Sequence, residues 1–240
     1  MNDTVTQKAS DEIAPERLAD AGRAVADLAH LTKNIIQVLS GCSEIIDLAL
    51  KTRQLDRVQK AWQLYQPSFW RLKKFQLDLI KYTKSYPLSL GPCDLNAVAV
   101  GAAKLMDPFF EKRGVTFSSR LAAELPALSG DGEKLRDAVV NLLVTAVDNL
   151  QDQPGQVSIE TTLTDSGDAI RIIVCDSGPL LDSAACEALL MPYERCRNML
   201  GTGLEIPLAK YVVEDHGGRL SINAAPCKRN TFEIRLGLNR

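Results

Sequence analysis

The sequence predicts a helical hairpin followed by a two-layer α+β sandwich. Two long stretches, residues 15–51 and 56–82, carry apolar side chains every three, four or seven positions, a spacing typical of amphipathic helices. Later in the chain, residues 157–163 and 169–175 alternate apolar and polar side chains, which indicates a β-hairpin. The segment 85–96 between these patterns contains two prolines and a glycine. We therefore expect two domains of different architecture.

The composition excludes several classes of protein. The 240 residues are 45% hydrophobic and 24% charged with a formal net charge of -2, so no basic field points to nucleic acid. Six cysteines form no C-x-x-C pair and only two histidines accompany them, which argues against a zinc site or a disulfide framework. No apolar run approaches the roughly 18 residues of a membrane span. These features predict a cytoplasmic protein without a signal peptide or membrane insertion.

The two helices of the hairpin have recognisable ends. Pro15 suits the first turn of the first helix, and Asp56 is a plausible N-cap of the second. Pro67 should kink the second helix or loosen one turn. Each helix would expose a large apolar face if left alone, so we expect the hairpin to pair with a second copy in a dimeric four-helix bundle.

The domain boundaries follow from these patterns. We predict a flexible tail over 1–13, the hairpin over 14–86, a linker over 87–94 and the sandwich over 95–240. The expected elements of the sandwich are a helix over 95–112, a strand Val115–Ser119, a helix capped by Asp131, the β-hairpin, a helix over 203–216, and strands Leu220–Asn223 and Thr231–Leu236.

A glycine-rich segment precedes the helix over 203–216. Gly201 and Gly203 let the backbone approach a ligand closely, and the helix that follows would direct free N–H groups at a phosphate. Gly217 and Gly218 then end this helix. Taken alone, the same pattern also fits a tight loop with no ligand.

Two further groups of polar residues are candidates for binding. Asp176 follows a strand directly, where its carboxylate can accept a hydrogen bond from the amine of adenine while Gly178 gives the base room; a plain turn is the alternative. Asn141, Thr145 and Asp148 share one face of the helix capped by Asp131, where they could hold a Mg²⁺-phosphate group or meet water.

In this order, the segments resemble the ATP-binding domain of bacterial histidine kinases, gyrases, Hsp90 chaperones and MutL proteins. GDGEKLRDAVVNLLVTAVDNL is similar to the N-box helix of that family, DSGP to its adenine box, LLMPY to its aromatic box and GTGL…HGG to its glycine box. The resemblance implies binding of ATP and Mg²⁺. It assigns a catalytic role to Asn141, metal ligation to Asn141 and Thr145, and nucleotide contacts to Asn141, Thr145, Asp176, Gly178, Gly201, Thr202, Gly203 and Leu204.

The hairpin contains a second resemblance to the same kinases. LAHLTKNIIQVL, residues 28–39, is similar to the box around their phosphoaccepting histidine, and the helical neighbours of His30 are polar. The resemblance makes His30 the phosphoacceptor and gives Asn34 the position of a residue that orients water for dephosphorylating the partner regulator. It implies a protein-histidine kinase of a two-component system or phosphorelay that transfers phosphate to a response regulator receiver domain. Because the sequence shows no sensor domain, we expect the input to come from a separate sensor protein or through the tail.

The departures from the family pattern leave two functions open. Leu31 replaces the acid after the histidine, Thr145 the second N-box asparagine, Leu180 the second glycine of the adenine box and Glu205 the third glycine of the glycine box. A carboxylate about 4 Å from a phosphate charge costs up to roughly 4 kcal/mol at an effective dielectric of 20, unless it points outward. The chain is then either a kinase that uses ATP, which is favoured because the lid and the glycine box keep their length and shape, or a degenerate phosphotransfer protein or scaffold that does not. A serine kinase of the anti-sigma-factor type would lack the hairpin.

Overall fold

The chain divides into two compact units in a computed structural model that describes residues 25–84, 87–151, 153–192, 201–225 and 229–238. Of the described residues, 25–84 and 192 form the first unit, and 87–151, 153–191, 201–225 and 229–238 form the second. The predicted tail and the first ten residues of the predicted first helix lie outside the described residues. Within the described ranges, no helix is both long enough and apolar enough to cross a bilayer.

The first unit is a hairpin of two long helices, α1 (Val25–Lys51) and α2 (Leu55–Thr83), which pack along each other. The prediction that Asp56 is the N-cap of the second helix is wrong. The helix begins one residue earlier, at Leu55, because the turn after α1 closes through Arg53 in the left-handed conformation. The helix continues through Pro67. The predicted apolar stripe of α1 faces inward, and its buried members are Leu31, Ile35, Cys42 and Ala49.

Large apolar side chains remain exposed on both helices of the hairpin. Val38 and Ile45 project from α1 with 45% and 49% of their surface accessible, and Trp62 and Phe69 project from α2 with 48% and 47% accessible. The rings of Trp62, Tyr65 and Phe69 stack in a row at centroid separations of 5.5 and 6.2 Å. A single hairpin therefore leaves a continuous apolar surface in contact with water.

The second unit is an α+β sandwich. Its elements are β1 (Gly91–Cys93), α3 (Leu95–Arg113), β2 (Thr116–Arg120), β3 (Leu128–Gly130), α4 (Gly132–Asn149), β4 (Gln156–Leu163), β5 (Ala169–Asp176), α5 (Ser183–Leu190), α6 (Glu205–Asp215), β6 (Arg219–Ala225) and β7 (Arg229–Gly237). A five-stranded sheet has the order β2-β4-β5-β7-β6, in which only the β2–β4 pair is parallel. Alternate residues of β4, β5 and β7 point into one core with α3, α4 and α6.

Several helix ends of this unit are fixed by side-chain caps. The Asp131 carboxylate accepts a hydrogen bond from the Lys134 backbone N–H at 3.1 Å, which confirms Asp131 as the N-cap of α4. Asp94 caps α3 and Asp182 caps α5 in the same way. Gly217 ends α6 in the left-handed conformation, as predicted, with φ of 66°.

Two elements differ from the sequence prediction. Residues 91–93, assigned to the linker, form strand β1 and pair with β3 in a small antiparallel sheet. The pairing with β3 makes this segment part of the sandwich. A strand of three residues that includes Pro92 shows no strand pattern in the sequence. Helix α5 lies within residues 180–200, which the sequence predicts as the lid of the ATP site, and it begins at the Asp182 cap.

Candidate functional site

The glycine loop, residues 201–204, binds the side chain of Glu205 at the start of α6. One oxygen of the Glu205 carboxylate accepts hydrogen bonds from the Thr202 N–H at 2.8 Å and from the Thr202 hydroxyl at 3.1 Å. The other oxygen accepts from the Gly203 N–H at 2.9 Å. Only 5% of Glu205 is exposed. The carboxylate therefore points into the loop and not outward from the helix, which decides between the two orientations left open by the sequence.

The backbone N–H of the other loop glycine, Gly201, donates to a second carboxylate. Asp148, near the C-terminal end of α4, accepts a hydrogen bond from the Gly201 N–H at 2.8 Å. Arg113 at the end of α3 lies 3.7 Å from the other oxygen of Asp148. Three successive backbone N–H groups of the loop, at 201, 202 and 203, thus donate to carboxylates of the protein itself.

The two carboxylates both lie close to Gly201. A Cβ atom built on Gly201 would lie 2.9 Å from the Asp148 oxygen and 3.0 Å from the Glu205 oxygen. The loop at Gly201 thus closes around acidic side chains of the protein itself, whereas the sequence suggested close approach to a ligand. Two buried negative groups therefore occupy the region that the glycine box would offer to phosphate.

Asp176 ends strand β5 and is fully buried. One oxygen, Oδ1, accepts hydrogen bonds from Asn149 at 2.8 Å, Asn230 at 2.9 Å and the Gly178 N–H at 2.8 Å. The other oxygen, Oδ2, is buried and has no hydrogen-bond partner among the described residues. Burial raises the pKa of Asp176, although the hydrogen bonds from Asn230, Asn149 and Gly178 oppose the shift.

The residues after Asp176 have a different role from the predicted one. A Cβ atom built on Gly178 would lie 2.4 Å from the carbonyl oxygen of Asn149, so glycine is required by close packing against the end of α4. Ser177, Pro179 and Leu180 are exposed, which places this end of β5 at the surface of the unit. Leu180, 53% exposed, points to solvent instead of into a buried pocket.

The predicted metal ligands lie one turn apart on α4. Thr145 donates its hydroxyl hydrogen to the Asn141 carbonyl oxygen at 3.0 Å, and both residues are half-buried. In the described part of the chain, no group of three or more His, Cys, Asp or Glu side chains could hold a metal ion. The contact between α4 and the glycine loop is made by Asp148, three residues after Thr145.

The site fits one part of ATP and not the other. The buried Asp176 Oδ2 is an acceptor without a donor, which suits the exocyclic amine of adenine. The loop that would bind phosphate has its N–H groups bound to Glu205 and Asp148. Since a triphosphate would have to displace one buried carboxylate and lie beside another, these residues do not fit the phosphate groups.

The two histidines have different environments. His30 lies in α1, and its side chain is outside the described part of the structure; Asn34, one turn later, is exposed. His216 is buried beside α4, where its Nε2 accepts a hydrogen bond from the Asp131 N–H at 2.9 Å. Its Nδ1 lies 2.6 Å from the Val212 carbonyl oxygen, to which it donates once Nε2 is the acceptor.

Of these features, the sequence could not give the partners of the key carboxylates. Asn230 reaches Asp176 from β7, 54 positions away, and Asp148 reaches the glycine loop across 53 positions. Asn149 is adjacent to Asp148, but nothing in the spacing connects it to Asp176. The acidic residues Asp148 and Glu205 were the signal in the sequence that the loop binds side chains of the protein itself.

Comparison with known proteins shows what the chain is similar to. Residues 130–240 match the model of the family described as histidine kinase-, DNA gyrase B- and HSP90-like ATPase. The predicted resemblance to bacterial histidine kinases is confirmed, since sensor histidine kinases match over most of the chain.

Individual relatives place the similarity more closely. The sensor histidine kinase ZraS of Escherichia coli strain K12 is 25% identical over 93% of this chain and 47% of its own length. The chain spans about half the length of the curated relatives it matches. Among solved structures, the histidine kinase ThkA in complex with the response regulator TrrA covers 93% of this chain and 64% of its own at a TM-score of 0.73 and 19% identity. Full-length ShkA in complex with AMPPNP covers 87% of this chain and 45% of its own at a TM-score of 0.63 and 19% identity.

Proposed function

We propose that this chain is a phosphotransfer protein of a two-component system, in which His30 exchanges a phosphoryl group with the aspartate of a response regulator. An imidazole nitrogen of His30 attacks the phosphorus of the regulator's acyl phosphate, the P–O bond breaks, and the carboxylate leaves; the reverse step returns the phosphoryl group. The similarity to sensor histidine kinases over most of the chain supports this class, and so does the complex of ThkA with its regulator.

The environment of the histidines supports His30 as the carrier. The chain has two histidines, and His216 is buried with both ring nitrogens engaged. A nucleophilic imidazole needs a deprotonated nitrogen that the phosphoryl group can reach. His30 lies in a helix with exposed polar neighbours, Lys33 and Asn34. We assign the phosphoacceptor role to His30 and the positioning of the hydrolytic water to Asn34.

ATP-dependent autophosphorylation of His30 is the second candidate. The unpartnered Asp176 Oδ2 favours it, because an adenine base would supply the missing donor. The glycine loop opposes it, because Glu205 and Asp148 already bind the N–H groups that a triphosphate needs. We therefore propose that phosphate enters from a regulator and that the loss of the phosphate subsite has removed the autokinase reaction.

We further propose that the hairpin forms a homodimer in the cytoplasm and responds to a separate sensor protein. The exposed apolar row on α2 favours a four-helix bundle, since a stable dimer would cover it. Trp62→Asp should produce a monomer by light scattering, with Gln63→Asp as the control on an exposed polar position. Phe75, an aromatic residue of α2, would not test the dimer, because its side chain is buried within the chain.

The phosphotransfer proposal is tested with isolated receiver domains phosphorylated by acetyl phosphate. Wild-type protein should acquire a base-stable, acid-labile label from at least one receiver domain, and His30→Gln should acquire none. Asn34→Ala should keep the transfer and lose acceleration of dephosphorylation. In parallel, the wild type is incubated with γ-labelled ATP and Mg²⁺.

The two donors separate the two candidates. Label from the receiver domain but not from ATP supports phosphotransfer. Labelling of His30 by ATP, at a rate comparable with that of a histidine kinase, would support the autokinase function instead. Label that persists in His30→Gln would show that another residue is the carrier.

A further inference from the structure

We propose that the Glu205 carboxylate is an internal substitute for a nucleotide phosphate, and that the ATPase-type domain binds an adenine nucleoside that carries no phosphate. The proposal joins two independent observations. The glycine loop is saturated by carboxylates of the chain, and Asp176 presents a buried acceptor that lacks a donor.

The first observation concerns the donors of the loop. The N–H groups of residues 201, 202 and 203 all donate to Asp148 or Glu205 at 2.8 to 2.9 Å. The Thr202 hydroxyl donates to Glu205 as well. Glu205 is the first residue of α6, so its charge also lies at the positive end of the helix dipole. Every interaction that a phosphate oxygen would seek in these three residues is already made.

The charge of the loop acts in the same direction. A Cβ atom built on Gly201 would lie 2.9 Å from an Asp148 oxygen and 3.0 Å from a Glu205 oxygen, so both carboxylates lie beside this residue. A phosphate that approached this loop would meet two buried carboxylates before it met a free donor. The loop therefore discriminates against anions, although residues 130–240 match an ATPase family.

Asp176 defines the kind of ligand that the site still accepts. Asp176 Oδ2 is buried without a partner in the described part of the chain, while Oδ1 has three donors. An unsatisfied buried acceptor favours a ligand with an N–H donor, and the exocyclic amine of adenine is such a group. Because the adjacent residues Ser177, Pro179 and Leu180 are exposed, a base can reach this strand end from solvent. An uncharged nucleoside such as adenosine meets both conditions.

This inference rests on the proposed function in one respect: ATP is not the phosphoryl donor. It goes further by giving the ATPase-type domain a ligand class of its own. The specificity is assigned to a single residue, because Glu205 holds two of the three N–H groups and the hydroxyl.

The test is calorimetric titration of the full chain with adenosine, AMP, ADP and ATP, with and without Mg²⁺. We expect wild-type affinity to fall along that series, with ATP at least about tenfold weaker than adenosine. Glu205→Gly should tighten ATP binding at least about tenfold and leave adenosine within about twofold. Asp176→Asn should abolish binding of adenosine, because an amide nitrogen would replace the acceptor.

Two controls protect the test against trivial failure. Glu214→Gln removes the same charge from the exposed side of α6, far from the loop, and should change no affinity. Glu205→Gln keeps the volume of the side chain, so a gain in ATP affinity with this variant would show that charge, and not space, excludes phosphate. Circular dichroism of each variant verifies that it is folded.

The outcomes are distinguishable from those of the phosphotransfer test. Absence of adenosine binding to the folded wild type would overturn this inference and leave transfer from the regulator untouched. Equal or tighter wild-type binding of ATP would overturn it as well. No gain of ATP affinity in either Glu205 variant would show that Glu205 is not the excluding residue. Labelling of His30 by ATP would count against the proposed function itself.

Discussion

Asp176 and Glu205 are two buried carboxylates of one domain that differ in how completely they are satisfied. Both oxygens of Glu205 accept hydrogen bonds from the loop that precedes it. All three hydrogen bonds of Asp176 go to one oxygen, and the second is left without a partner among the described residues. The Glu205 carboxylate thus has hydrogen bonds to both oxygens, whereas the Asp176 carboxylate has them to only one among the described residues.

The difference separates a structural role from a binding role. A buried charge with all its donors stabilises the fold around it, whereas a buried charge with a missing donor lowers stability until a ligand or a proton arrives. Both residues lie within 130–240, the part of the chain that matches the ATPase family model. The hydrogen bonds show that the glycine loop is bound by Glu205, a side chain of the protein itself.

The largest effect in this comparison should come from Glu205→Ala. The substitution leaves the N–H groups of residues 202 and 203 without an acceptor at a helix start, so we expect the free energy of unfolding to fall by about 2 kcal/mol. Thermal denaturation followed by circular dichroism measures it. Glu214→Ala, on the exposed side of α6, should change it by less than about 0.5 kcal/mol.

Inorganic phosphate sharpens this test. The emptied loop of Glu205→Ala should bind the anion, so millimolar phosphate should raise the melting temperature of the variant and not that of the wild type. An equal loss of stability in both glutamate variants, or no response to phosphate, would contradict the view of Glu205 as an internal anion.

A smaller effect of opposite sign is expected for Asp176→Asn. The variant removes a buried charge whose second oxygen has no donor, and we expect a gain of about 1 kcal/mol at neutral pH in the free protein. Chemical denaturation at pH 7 measures the difference from the wild type. A loss of several kcal/mol would mean that the ionised carboxylate is needed by the fold.

The pH dependence of this difference has a defined sign. The pKa of Asp176 is raised by burial, so the folded wild type binds a proton at a higher pH than the unfolded chain does. Wild-type stability therefore rises as pH falls through the folded pKa towards the unfolded value near 3.9. The advantage of Asp176→Asn should be largest above the folded pKa and shrink below it. Adenosine affinity should weaken over the same interval, because the protonated group is a poorer acceptor.

Most of the fold was predictable from local signals. The Asp131 cap, the alternating runs of β4 and β5 and the glycine at 217 each depend on residues within a few positions. Strand β1 was missed because its three residues gain their conformation from pairing with β3, about 37 positions later, and not from a pattern of their own.

The candidate site was predictable only in its residue types. Asp176, Gly201 and Gly203 stand where the sequence placed them, but the direction of the Glu205 side chain depends on the loop conformation. The Asn230 amide reaches Asp176 because β7 pairs with β5 in one register, in which Asn230 lies opposite Asp176. Long-range register of this kind leaves no trace in the spacing of residues.

The internal carboxylate of Glu205 has a consequence for how such a domain could signal. A ligand that is part of the chain is present in every molecule and does not dissociate when cellular concentrations change. The glycine loop would then keep one conformation at any ratio of ATP to ADP, and the energy state of the cell would not reach the hairpin through this domain. Phosphate flow through His30 would then depend on its regulator and on the sensor protein, and not on ATP bound to this domain.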